Sequence, residues 1–272
     1  MIRLVLIDVD GTLLGSNGVP DCAWEAAERA RQAGIHLSLA TGRPGAGASL
    51  EYAKKLDPEG LHIFHQGGAV ATSDGKPLYS VPLPQRAFHD LIDLSRQAAL
   101  PLEAYTAEGG VFVERASRDL ENHAKLLGVE VKKKDLHSVW FAKTIIRLQW
   151  VVRQTPEWQR VRRIIDENYL DQLSWHVGTS PATPGVIYAS LLRRDAGKLT
   201  AARWLAKKMR IDFSQVAAVG DGENDLELLR AAGLGIAMGN APDAVKQAAD
   251  RVVSPVDDCG LAEALEGLWR ER

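Results

Sequence analysis

Residues 2–7 are almost continuously apolar and then stop at Asp8-Val9-Asp10-Gly11. A run this short and this apolar predicts a strand covered on both faces, the situation of a parallel strand flanked by helices. It sets two carboxylates at the C-terminal end of a buried strand, where open α/β sheets bind their ligands. The chain that follows has the rhythm such a sheet needs. A helical pattern over 21–33 begins at Asp21, a residue suited to N-capping, and stops at Gly34. A strand over 35–40 ends at Thr41-Gly42-Arg43, a helix covers 49–56, and a third strand over 61–64 runs into His65-Gln66-Gly67-Gly68.

After Pro82 the pattern changes. Strands now alternate in polarity, with Ile146, Leu148 and Trp150 on one side and Arg147 and Gln149 on the other, then Leu173, Trp175 and Val177 against Ser174 and His176. Such alternation predicts a sheet with one covered and one open face. Helical patterns over 85–99 and 157–168 separate these strands. The α/β rhythm returns with a helix over 199–209, a strand over 216–219 ending at Gly220-Asp221-Gly222, a helix over 224–232, and strands over 234–238 and 251–254. The expected architecture is therefore a discontinuous α/β core with a central parallel sheet, residues 1–82 and 191–272, interrupted by an inserted α+β unit, residues 83–190.

Composition narrows the class. Thirty-three basic residues nearly cancel thirty-five acidic ones, for a formal net charge of -2, which removes the electrostatic footprint of a duplex-binding protein. No apolar run approaches the length of a membrane span, and the N-terminal run meets Asp8 too soon for a signal peptide. The two cysteines, Cys22 and Cys259, have no CxxC spacing and read as small, buried, reduced residues, in keeping with a cytoplasmic, reducing compartment. Neither composition nor motif points to an oligomeric state.

The chemistry-bearing residues gather at strand ends. Asp8-Val9-Asp10 alone is compatible with a plain turn, since aspartate is common there. A second acidic group, Asp221, Asn224 and Asp225, stands at the end of another buried strand and changes that balance. Carboxylates collected from distant segments repel one another unless a cation joins them, and an oxygen-only set favours magnesium. One carboxylate can act as nucleophile and the other as general acid and base. Thr41 and the Gly42 amide can donate to phosphate oxygens, and Lys198 can neutralise phosphate charge. Gly197-Lys198 is not a Walker A loop, and no GxGxxG run is present.

Taken together, Asp8-Val9-Asp10-Gly11-Thr12-Leu13, Thr41-Gly42-Arg43-Pro44, Lys198 and Gly220-Asp221-Gly222-Glu223-Asn224-Asp225 resemble, in order and spacing, the four motifs of the haloacid dehalogenase (HAD) superfamily. Gly239-Asn240-Ala241-Pro242, followed by Ala248-Ala249-Asp250-Arg251-Val252, resembles its Cof-type subfamily, whose inserted cap is of type IIB. The resemblance implies a HAD-like Rossmannoid core and a Mg2+-dependent phosphatase acting on small phosphorylated metabolites such as sugar phosphates. Asp8 would attack phosphorus and become an aspartyl-phosphate, and Asp10 would serve the leaving alcohol and then the water. Asp8, the Asp10 carbonyl, Asp221 and Asp225 would form the metal site; the Val9 backbone, Thr41, Gly42, Lys198 and Asn224 would hold phosphate. Where the family often carries Asn-Gly-Ala, this chain has Gln66-Gly67-Gly68, so no contact is carried over to that position.

The inserted unit is expected to choose the substrate. Arg147, Gln149 and His176, on the polar sides of the alternating strands, are the candidates there, against the plainer reading of a solvated face. Trp150 and Trp175 lie on apolar sides and are expected to pack the unit's core. A phosphomutase or phosphotransferase using the same aspartyl-phosphate, and a non-catalytic phosphometabolite-binding module, are the alternative functions.

Overall fold

The computed structural model describes residues 1–179 and 183–268 of the 272. In chain order, β1 (Leu4–Ile7), α1 (Asp21–Gln32), β2 (His36–Leu39), α2 (Ala48–Leu56) and β3 (Leu61–Phe64) come first, followed by β4 (Ala69–Thr72) and β5 (Pro77–Ser80). Next are α3 (Gln85–Gln97), β6 (Leu102–Thr106), β7 (Val111–Val113), α4 (Arg118–Leu127), β8 (Val131–Lys133) and α5 (Leu136–Trp140). These lead into β9 (Ile145–Val152), α6 (Pro156–Asn168), β10 (Leu173–Thr179) and β11 (Ile187–Arg193). The chain closes with α7 (Lys198–Met209), β12 (Val216–Gly220), α8 (Leu226–Ala231), β13 (Leu234–Ala237), α9 (Asp243–Ala248), β14 (Arg251–Val252) and α10 (Gly260–Glu266).

These elements form two compact units. One comprises Met1–Arg43, Leu50–Leu78 and Gly197–Arg272; the other comprises Pro44–Ser49 and Tyr79–Ala196. In the first unit a five-stranded sheet has the order β14-β13-β12-β1-β2, with parallel pairing throughout. Its middle strands, β1 and β12, are buried along their whole length, as their apolar runs require. Both end at acidic residues.

The third apolar run behaves differently from expectation. β3 does not extend the parallel sheet; it belongs to a separate three-stranded sheet, β3-β4-β5, and touches the end of β2 through a single bridge between Ala40 and Ile63. The reason lies in two polar side chains. On the outer edge of β2, the Leu39 N–H donates to His62 Nδ1 at 3.1 Å and the Leu37 N–H donates to Asp57 at 3.3 Å. Side chains thus satisfy the edge donors that a neighbouring strand would have taken.

The two cysteines are not the reduced residues that their spacing predicts. Cys22, in α1, and Cys259, immediately before α10, form a disulfide with their Cα atoms 6.0 Å apart. Spacing in sequence carried no sign of this, because α1 and α10 meet only once the two ends of the chain share one core. The cysteine count is accordingly no argument for a reducing compartment. Among the described residues, no helix is long and apolar enough to cross a membrane.

The second unit is built on a six-stranded sheet of order β10-β11-β9-β6-β7-β8, antiparallel except for β7 with β8. One face packs α3, α5 and α6 through Phe88, Leu91, Val139, Trp158 and Ile165 against Leu148, Trp150 and Leu191. Trp150 and Trp175 lie in this layer, their ring centroids 5.8 Å apart. The opposite face is less open than alternation suggests. All eight residues of β9 are buried, and α4 lays Leu120 and His123 on that side.

His62 supplies a test of the β2 edge. It is fully buried, its Nδ1 accepting from Leu39 and its Nε2 donating to the Asp57 carbonyl at 3.0 Å, so the ring is held neutral. Burial depresses its pKa from 6.5 to about 4. The stabilisation is present above the unfolded-state value and is lost as pH falls from 6.5 through 4, where the unfolded chain binds the proton first. Measured against a variant that lacks the imidazole, denaturant unfolding of the wild type should show an extra loss of roughly 2 kcal/mol between pH 7 and pH 4.5. The His62→Gln variant should lose less over the same interval; an identical acid sensitivity would show that His62 is not the titrating group.

Candidate active site

The ends of β1 and β12 bring three carboxylates together. One oxygen from each of Asp8, Asp221 and Asp225 lies within 4.8 Å of the others. Asp8 and Asp225 are buried and share a single ammonium: Lys198 Nζ donates to Asp8 Oδ1 at 2.6 Å and to Asp225 Oδ1 at 2.7 Å. Lys198 is the first residue of α7, so a buried cation and a helix N-terminus coincide there. Asp225 is further fixed by the Gly222 N–H, which donates to Oδ2 at 3.1 Å.

Asp10 lies two residues from Asp8 in a contrasting environment. Its side chain is 62% exposed and is gripped by the Arg43 guanidinium, Nε to Oδ2 at 2.8 Å and Nη2 to Oδ1 at 2.6 Å. The turn between the two aspartates explains the contrast. Val9 is buried and its carbonyl accepts from the amides of Leu13 and Leu14, at 3.0 and 2.8 Å, folding the chain back directly after the strand. Gly11, at φ +85°, completes the turn; a Cβ there would lie 2.1 Å from Asp221 Oδ2.

The remaining candidates surround this centre. Thr41 is buried, its Oγ1 accepting from the Arg43 N–H at 3.1 Å, and Gly42 follows it at the end of β2. Asn224 is exposed and donates through Nδ2 to Gln66 Oε1 at 3.2 Å. Asp221 accepts from Thr12 Oγ1 at 2.9 Å and from Asn240 Nδ2 at 3.3 Å, and Asn240 also donates to the Gly11 carbonyl at 2.9 Å.

A family model for haloacid dehalogenase-like hydrolases matches residues 5–265. The chain belongs to that family. A solved phosphatase of the superfamily from Bacteroides thetaiotaomicron is 28% identical, superposes with a TM-score of 0.79, and is matched over 98% of this chain and 95% of its own. Phosphatase YwpJ from Bacillus subtilis is 26% identical over 98% of this chain and 100% of its own length. A phosphoglycolate phosphatase from Archaeoglobus fulgidus is 26% identical over 98% of this chain and 96% of its own.

Of the residues that the motifs of this HAD-family hydrolase single out, Asp8, Asp10, Thr41 and Asp221 follow strands of the first unit, Asp225 lies in the helical turn after Asp221, and Lys198 begins α7. Arg43, Thr12 and Asn240 were not assigned roles. Each stands inside a quoted motif, but its partner is set by turn geometry rather than by spacing. Arg147, Gln149 and His176 lie elsewhere, on one face of the second unit's sheet. Gln149 Nε2 donates to Glu103 at 2.8 Å, Ser190 Oγ donates to Gln149 Oε1 at 2.7 Å, and Arg147 donates to Gln149 and stacks 4.6 Å from the Tyr105 ring centre. His176, half-buried on β10, stands in register with Ser190.

The donor set fits a hard divalent cation. It offers oxygen only, and the carboxylates are strained by their own company: burial first, with help from neighbouring aspartates, pushes Asp8 up to about 7 and Asp221 up to about 6. Lys198 opposes this at Asp8 but cannot neutralise every carboxylate. Raised folded-state values mean that the metal-free protein loses stability as pH climbs from about 4 through 7. A divalent cation removes that penalty. Titrating Mg2+ should therefore raise the thermal midpoint strongly at pH 8 and little at pH 5, with proton release on binding near pH 6.5. Equal shifts at both pH values would mean that these carboxylates do not receive the ion.

Proposed function

We propose that this hydrolase cleaves small phosphomonoesters, sugar phosphates among them, with Mg2+ and through an aspartyl-phosphate on Asp8. The observation that carries the reading is the Lys198 ammonium fixed between Asp8 and Asp225, beside Asp221 and Thr41, at the ends of parallel strands. Phosphoryl transfer asks a protein mainly to position reactants and to neutralise charge, and these groups do both. That the relatives described above are phosphatases supports the same reading.

Lys198 holds Asp8 by Oδ1, which leaves Oδ2 as the attacking oxygen. As the Asp8–phosphorus bond forms and the ester P–O bond breaks, Asp10, having first taken up a proton from solvent, gives it to the departing alcohol. Asp10 then takes a proton from the water that attacks the acyl phosphate, releasing inorganic phosphate and restoring Asp8. Arg43 keeps Asp10 in one orientation through its two hydrogen bonds. The Val9 backbone, Thr41, Gly42, Lys198 and Asn224 hold the phosphoryl oxygens. Magnesium, held by Asp8, the Asp10 carbonyl, Asp221 and Asp225, supplies further charge neutralisation at those oxygens when bound.

The second unit is assigned the choice of the alcohol portion, with Arg147, Gln149 and His176 as the candidate determinants. Their supporting feature is a shared sheet face, on which Gln149 is bonded to Arg147, Glu103 and Ser190 and His176 stands in register with Ser190. Arg147→Ala should change the ranking of several phosphate esters by kcat/KM; an unchanged ranking removes Arg147 from the list.

The central test is a panel of phosphate esters assayed for free phosphate with and without Mg2+. Asp8→Asn is expected to abolish turnover while leaving the circular dichroism spectrum unchanged, and Asp10→Asn to slow turnover by about 10²–10⁴-fold. Appreciable hydrolysis by Asp8→Asn would refute the nucleophile assignment.

A further inference from the structure

The turn that follows β3 contains an uncommon feature. His65 and Gln66 are consecutive non-glycine residues with positive φ, 54° and 56°, in the left-handed region. Each such residue carries a conformational cost that persists only where surrounding contacts enforce it, and such sites concentrate where function is. Here the enforcing contacts lead to the candidate active site. The His65 N–H donates to the Arg43 carbonyl and the Gln66 N–H to the Thr41 carbonyl, both at 2.9 Å.

The Gln66 side chain then spans two of the loops assigned to phosphate. Its Oε1 accepts from Asn224 Nδ2 at 3.2 Å, which fixes the carboxamide orientation and assigns the Nε2 end to the other side. That end lies over Gly42: a Cβ on Gly42 would stand 2.4 Å from Gln66 Nε2. A side chain at Gly42 would displace the Gln66 amide from this place. A strained backbone, an oxygen pinned by Asn224 and a nitrogen donor placed beside the Thr41-Gly42 loop are together more than a turn requires.

We propose that Gln66 supplies a side-chain amide donor to the bound phosphoryl group, with Asn224 as the residue that orients it. The inference rests on the phosphomonoester reading of the same site and adds to it a binding residue at a position where the chain departs from the commoner Asn-Gly-Ala. Glutamine has the reach to contact Asn224 and Gly42 from one side chain, and the left-handed backbone aims it.

The test separates the two ends of the amide. Calorimetric titration of inorganic phosphate into the Mg2+-loaded protein gives a dissociation constant without turnover, and kinetics on one hydrolysed ester give KM and kcat. Gln66→Ala should weaken phosphate and raise KM by about ten-fold, with kcat changed less. Gln66→Glu keeps an oxygen for Asn224 but replaces the donor with a negative charge, and should weaken phosphate on the order of a hundred-fold. Gln66→Gly relieves the backbone and should melt no lower than the wild type while still losing about ten-fold in phosphate affinity.

Phosphate dissociation constants within roughly two-fold of wild type for Gln66→Glu and Gln66→Gly would overturn the proposal and leave Gln66 a packing residue. A wild-type protein that binds phosphate but hydrolyses no ester would instead overturn the hydrolase reading, and Gln66 would still be judged on the dissociation constants.

Discussion

The candidate site depends on one ammonium group. Lys198 meets Asp8, 190 residues away in sequence, and Asp225, 27 residues away, and all three charges are removed from water. Burying charge costs more than pairing returns in most settings, so such a triad is weak evidence for stability and better evidence for a task. Its geometry explains the surrounding fold. The two carboxylates can approach only because β1 and β12 are adjacent and parallel, ending at the same edge, and the ammonium can reach both only because α7 begins there. Adding Asp221 leaves the cluster with more negative than positive charge. The fold has thus assembled an excess of negative charge that a divalent cation would offset.

Much of this was legible in the sequence because the signals are local. An apolar run ending in acids marks a buried strand and its functional end, and two such runs in one chain imply that the acids converge. The partners of those acids were less legible. That Arg43 grips Asp10, that Asn240 joins Gly11 to Asp221, and that Gln66 reaches Asn224 all depend on how turns close in space. The same limit applies to Cys22 and Cys259, which meet because α1 and α10 share a core. The misplacement of β3 is different, since its cause was visible. His62 sits in the middle of an apolar run, and a buried histidine needs partners; here they are the β2 edge and the Asp57 carbonyl, which leave β3 no room to pair.

The second unit shows how alternation can mislead. Period-two patterning separates the faces of β9 from Arg147 onward, with Leu148 and Trp150 in the apolar layer and Arg147 and Gln149 opposite, but a register shift at the start of the strand puts Ile145 rather than Ile146 in that layer. It does not say that the polar face meets water. Gln149 is 1% exposed because Glu103, Ser190 and Arg147 use its hydrogen-bonding capacity, and His123 from α4 approaches Glu103 at 3.1 Å. Polar side chains that satisfy one another can be buried at little cost, and from sequence they look the same as a solvated face. The network joins β6, β9 and β11 with α4 and fixes the orientation of its side chains within the unit.

The contrast between Asp8 and Asp10 follows from the same principle on a smaller scale. The residues are chemically identical and separated only by Val9, yet one is buried against Lys198 and the other is exposed beside Arg43. Had the strand continued, both side chains would have pointed the same way into a similar environment. The chain instead folds back at Gly11, held by the Val9 carbonyl, so that one carboxylate stays at the strand end and the other moves out along the turn. Burial leaves Asp8 poorly hydrated and raises its pKa, and the Lys198 ammonium favours its ionised form, which suits the proposed nucleophile. Exposure gives Asp10 access to solvent protons, while the bidentate Arg43 fixes its direction and favours its ionised form, so Asp10 would have to loosen from Arg43 to carry a proton to the leaving group. A single turn after a buried strand thus places two aspartates in two different environments, and on that difference the proposed division between nucleophile and acid-base rests.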